Sequence, residues 1–116
     1  MATGQGAGSD VVPMSRADGI LRVVLTGKWF DMIVSGEKLE EYRGRNWAKK
    51  LLVDPSVHPS SIRALNWPFY TLVASRGYTK QTLTRKIKHI RWGLPRPEWS
   101  GDTVRGECFI IELERP

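Results

Sequence analysis

Cysteine is almost missing from this chain of 116 residues: Cys108 stands alone, which excludes an internal disulfide framework and a cysteine-rich zinc site. Histidine is nearly as scarce. His58 and His89 form no readable metal-ligand spacing, so neither a metal nor a cofactor is expected. No apolar run approaches the roughly 20 residues that cross a bilayer, which excludes a transmembrane helix and makes a membrane partner unexpected. A basic start followed by an apolar stretch is also lacking, so a cytoplasmic protein is expected rather than a secreted one. Acidic residues are absent from Pro55 to Pro97, where eight basic residues stand.

What remains is a composition of 41% hydrophobic and 26% charged residues, which points to a globular domain rather than a disordered chain. A single core at this length buries about 65% of the unfolded surface, enough without covalent staples. Residues 1–19, rich in Gly, Ser, Ala and Asp, read as a disordered leader, and 20–116 as one domain. The net charge of +6 is concentrated in the acid-free block, where Arg76, Lys80, Arg85, Lys86, Lys88, Arg91 and Arg96 imply a positive surface. Such a surface attracts polyanions by contacts to phosphate and release of counterions. The plainer alternative is a strand whose lysines serve only solubility.

Hydrophobic patterning divides the domain into short elements. Ile20 to Leu25 is apolar and β-branched, a strand expected to be buried on both faces. Thr26 suits a helix cap, Trp29, Phe30, Ile33 and Val34 share a helix face, and Gly36 suits the left-handed stop. Trp29 is therefore expected in the core beside Ile33. Leu39 to Arg43 reads as a second strand, and Arg45 to Leu52 as a second helix ended by Asp54-Pro55. Ile62 to Leu65 reads as extended, Phe69 to Ala74 as a strand, and Thr82 to Trp92 as a basic, bulged strand. Gly93 to Gly101 reads as a loop. Cys108 to Leu113 closes the fold with Phe109, Ile111 and Leu113 inward. Long βαβ crossovers are missing, so the expected fold is α+β: a small mixed, mostly antiparallel barrel of five to six strands with two or three short helices.

Chemistry concentrates in Ser35 to Arg43. Gly36 turns the chain from helix to strand, and strand alternation then puts Glu41 and Arg43 on one face and Tyr42 on the other. Lys38, at the strand entrance, leans over that same face. A Lys, a Glu and an Arg together hold a phosphate, orient a base edge or move a proton. Taken alone, the spacing also fits an exposed turn whose Lys38–Glu41 pair is worth ~0–1 kcal/mol. Trp47, near Arg43, and Tyr78, in a turn, are candidate base-stacking rings, and Trp67 and Trp92 flank strands.

The run GEKLEE, set after a strand and a short helix with a Trp-Phe pair, resembles the Gly-x-Lys-x-x-Glu signature of ASCH domains, of the PUA-like barrel superfamily. SRGYTK (75–80), the basic strand after it, Pro97-Glu98-Trp99 and the closing strand are similar to small ASCH proteins of phages and bacteria. The resemblance spans about residues 20–115 and implies a barrel with a cleft beneath the signature, associated with RNA or modified nucleotides. It implies ligand contacts from Gly36, Lys38, Glu41 and Arg43, with the basic strand holding phosphate. Some relatives are amidohydrolases of N4-acetylcytidine with a Thr where this chain has Glu41, and others are ribonucleases. Glu107 is a further candidate acid by position. The leading expectation is a nucleic-acid-binding module. Its rivals are a metal-independent hydrolase, with Lys38 and Glu41 as catalytic pair, and an adaptor for an acidic protein, which no motif specifically indicates.

Overall fold

The computed structural model describes residues 18–61, 69–101 and 105–116. Its elements in chain order are β1 (Ile20–Leu25), α1 (Gly27–Ser35), β2 (Glu40–Arg43), β3 (Thr71–Arg76), β4 (Thr82–Gly93), α2 (Pro97–Ser100) and β5 (Cys108–Leu113), with single 3-10 turns at Arg45–Trp47 and Pro59–Ser61. The strands form one curled, mixed sheet, a half-barrel, in the order β1-β3-β4-β5-β2. Only β1 and β3 run parallel; β3–β4, β4–β5 and β5–β2 are antiparallel. The small α+β, mostly antiparallel architecture read from the sequence is therefore present, with five strands and two helices among the described residues. No helix among those residues is long and apolar enough to cross a membrane.

Period-two patterning explains the sheet. β1 buries Leu21, Val23 and Leu25 and exposes Arg22 and Val24. It is thus buried on one face and not on both, because only the concave side of the sheet meets the core. α1 lies over that side against β1 and β3, sinking Phe30 and Ile33 among Leu72, Ala74, Ile90, Phe109 and Ile111. Each such side chain contributes ~1.5–3 kcal/mol by leaving water. Thr26 stands at the cap position, yet its side chain makes no capping bond; its carbonyl accepts the Phe30 N–H at 3.0 Å.

Other boundaries differ from expectation for local reasons. The Arg45–Leu52 helix is only one 3-10 turn followed by further turns, its backbone bonds closing mostly over three residues (Trp47 to Gly44, Ala48 to Arg45, Leu52 to Lys49), and Leu52, at φ 60°, ends the segment. Trp47, Ala48 and Leu51 still pack on the core. The expected strand from Phe69 begins at Thr71, Phe69 being buried ahead of it. β4 carries its irregularity between Ile87 and His89. The expected 93–101 loop contains α2, started by Pro97, whose fixed φ suits a first helical position. β5 is buried on both faces: Phe109, Ile111 and Leu113 face the main core, Cys108 and Ile110 a smaller one with Tyr42 and Trp99. Ile62 to Leu65, Trp67 and most of the expected leader lie outside the described residues.

Candidate functional site

Gly36 ends α1 at φ 84°, its N–H bonded to Ile33 O at 3.1 Å. The Lys38 N–H then returns to Met32 O at 2.9 Å. These two bonds fold the chain back sharply and bring the Lys38 side chain beside β2. A Cβ at Gly36 would meet Pro116 Cγ at 3.2 Å, so glycine answers both the backbone angle and the packing there.

Strand alternation does the rest. Glu41 and Arg43 stand opposite Ile111 and Phe109 on the concave face, and Glu40 and Tyr42 opposite Glu112 and Ile110 on the other. Lys38 Nζ donates to Glu41 Oε1 at 2.9 Å, and Arg43 Nη2 pairs with Glu41 Oε2 at 2.8 Å. Side-chain exposure is 2% for Lys38, 7% for Glu41 and 18% for Arg43. Three charges therefore converge, each carboxylate oxygen taking one cation, and the group as a whole keeps one excess positive charge. This is no surface pair: both members of Lys38–Glu41 are desolvated, and loss of Glu41, the carboxylate that both cations share, costs ~3–5 kcal/mol.

Aromatic rings surround the cluster. Lys38 Nζ lies 5.2 Å from the centroids of both Trp29 and Tyr42. Arg43 stacks over Trp47 at 4.4 Å, with Lys50 at 4.8 Å from that ring. Trp29 is thus half-buried beside the site, not in the core. Sequence reading missed it because Trp29 and Ile33 share a helix face, although that face is wide enough to touch two neighbours.

Arg43 also has a structural task. Its Nη2 donates to Val24 O at 3.1 Å. β1 and β2 are the two ends of the sheet order, so this guanidinium spans the open seam of the half-barrel. Its Nε is buried without a partner among the described residues.

A second network lies on the opposite face of β2. Glu40 and Glu112 stand directly across from each other, an unfavourable like-charge pairing that Arg91 relieves by bonding both, at 3.4 and 2.5 Å. The hydrogen bond to Glu112 raises the Arg91 pKa further. Tyr42 Oη donates to Glu40 at 2.6 Å and accepts the Arg96 N–H at 3.1 Å, and burial with the Glu40 bond pushes its pKa well up. His89 Nε2 lies 3.2 Å from Glu112. Alternation alone would have paired Glu40 with Tyr42; the roles of Arg91 and Glu112 required the β4–β5 register.

The remaining candidates scatter. Arg76 pairs with Asp31 at 3.3 Å, and Arg85 donates to Ile33 O at 2.8 Å. Lys80, Lys86 and Lys88 are exposed and without ion pairs among the described residues. Tyr78, 98% exposed, sits at the tip of the β3–β4 hairpin, away from the cluster. Trp92 packs edge-on against Phe109 and donates to Glu107 at 3.0 Å, which gives both a structural role. Two described hollows, one of about 480 Å³ over β1 and β3 and one of about 520 Å³ near Leu113, are not lined by Lys38, Glu41 or Arg43. Among the described residues no three His, Cys, Asp or Glu side chains gather as a metal site would require. Comparison of the chain with protein-family models, curated proteins and solved structures gives no match.

Proposed function

We propose that the chain is a nucleic-acid-binding module of the ASCH kind, a cytoplasmic protein that holds RNA or a modified nucleotide. The observation that carries this reading is the buried Lys38–Glu41–Arg43 cluster, two cations sharing one carboxylate between Trp29, Tyr42 and Trp47. Its excess positive charge suits an anion, its donors and acceptor suit the polar edge of a base, and rings stack bases at ~1–3 kcal/mol each. Arg43, the most exposed member, offers the ligand its first contact. Lys80, in the turn before β4, and Lys86 and Lys88, on it, supply phosphate contacts. Binding is favoured over turnover because an ammonium donating to a carboxylate at 2.9 Å has no lone pair to offer as base or nucleophile.

The test is a salt titration with a labelled oligoribonucleotide, repeated in Lys38→Met. Log affinity should fall linearly with log salt at ~0.7 per phosphate contacted, and Lys38→Met should weaken binding while the fold persists. Affinity flat across the salt range, or unchanged in Lys38→Met, refutes the reading. Release of product from RNA or N4-acetylcytidine would replace it with hydrolysis.

A further inference from the structure

The outer face of β1, β3 and β4 lies opposite the core residues Leu21, Val23, Leu72, Ala74 and Leu83. Strand register sets its side chains in rows: Ile20, Thr71 and Lys86; Arg22, Val73 and Thr84; Val24, Ser75 and Thr82. No carboxylate stands in any of them. The hollow of about 480 Å³ opens over this face, where Lys50 overhangs it from the turns after β2. Its size falls among small-ligand sites, ~300–1,000 Å³.

The lining is chemically divided. Arg22 and Lys50 supply positive charge, Ser75 and Thr82 supply hydroxyls, and Val24 and Val73 make an apolar floor. Neither hydroxyl has a side-chain hydrogen bond among the described residues. Arg22 pairs with Asp18 at 3.5 Å, but both are well exposed, and such a pair is worth ~0–1 kcal/mol. A dianion therefore displaces it readily. Lys50 has no ion pair among the described residues, its ammonium lying 4.8 Å from the Trp47 ring.

We propose that this hollow binds a phosphorylated ribose: the phosphate between Arg22 and Lys50, the sugar hydroxyls at Ser75 and Thr82, and the carbon face of the ring on Val24 and Val73. Two cations favour a dianionic phosphate over a single carboxylate, and a guanidinium presents paired donors that match phosphate oxygens. The site shares no side chain with the Lys38 cluster and stands without the proposed function. It is linked to that cluster by the Arg43 bond to Val24 O and by the Trp47 ring, which meets both Arg43 and Lys50.

The experiment is an NMR titration of the full chain with ribose 5-phosphate, ribose and a short oligouridylate. Ribose 5-phosphate should move the amide signals of Val24, Ser75 and Thr82, and ribose should leave them in place. Arg22→Glu combined with Lys50→Glu should weaken the effect at least ~10-fold, both side chains being charge-assisted donors. If that variant does not fold, Ser75→Ala with Thr82→Val, which removes both hydroxyls, should show a smaller loss at the same signals. Tighter binding of the oligouridylate through these residues assigns the phosphate to a strand; equal binding assigns it to a free sugar phosphate. Signals that move elsewhere or not at all, or affinity that survives both variants, overturn the proposal. Lys38→Met separates the two sites, because ribose 5-phosphate should still bind a variant that has lost the RNA contact of the cluster.

Discussion

Glu41 and Lys38 are bonded to each other, yet their removal should have very unequal effects. In Glu41→Gln, Lys38 loses its carboxylate while remaining 2% exposed, and Arg43 loses its carboxylate as well. Two cations then share a desolvated site, at a cost of ~3–5 kcal/mol. In Lys38→Met the apolar stem is kept and Glu41 still holds Arg43 at 2.8 Å, leaving a neutral pair. That change should cost no more than ~1 kcal/mol, because Glu41 keeps Arg43 as its partner and no buried charge is left uncompensated. At roughly 4 °C per kcal/mol for a domain of this size, Tm should fall by ~12–20 °C in Glu41→Gln and by under ~4 °C in Lys38→Met. The double variant should recover part of the loss, because the orphaned ammonium is gone. Thermal unfolding followed by circular dichroism, with urea titration as a second measure, reads all three. Equal losses in the two single variants would refute the reasoning, and so would a harmless Glu41→Gln.

Arg43→Lys keeps the charge but moves it off the position from which Nη2 bonds both Glu41 and Val24 O, and should cost ~1.5–3 kcal/mol; hydrogen exchange should show β1 amides opening faster, and unchanged exchange would count against the seam. Arg91→Leu leaves Glu40 and Glu112 facing each other and should cost ~2 kcal/mol, partly recovered by adding Glu40→Gln; urea midpoints check this. Burial pushes the Cys108 thiol up to about 11, so native protein at pH 8 should react with a thiol reagent far more slowly than unfolded protein. Because the unfolded thiol ionises first, stability is lost as pH rises from about 9 toward 11, on the order of 2 kcal/mol, and Cys108→Ala should remove that part of the slope. Tyr42 acts in the same direction at higher pH and remains in that variant.

Much of the fold was legible because alternation and glycine placement are local signals. Gly36, the β2 alternation and the bulged β4 could each be read from a few neighbouring residues. The 45–52 helix failed because Trp47, Ala48, Leu51 and Leu52 have helical spacing, while the backbone bonds there close mostly over three residues as in 3-10 turns, a tightening that spacing does not reveal. The convergence of Lys38, Glu41 and Arg43 followed from spacing. Their near-complete burial did not, since it depends on α1 and on the rings of Trp29 and Tyr42. The basic block illustrates the limit most clearly: Arg76, Arg85 and Arg91 are adjacent in composition, but register sends them to Asp31, to Ile33 O and to two glutamates. Charge counts record residue types; pairing partners come from distant strands.

The parallel pairing of β1 with β3 also sets an order of assembly. Ile20 meets Thr71 across nearly half the chain, whereas β3 and β4 are joined by a tight turn in which the Arg76 N–H bonds Gln81 O at 2.9 Å. Short-range pairing is entropically cheaper, so the hairpin should nucleate early and β1 dock late. The Arg43 clasp, which needs β1 in place, should therefore slow unfolding more than it speeds folding, bearing on lifetime rather than on folding rate.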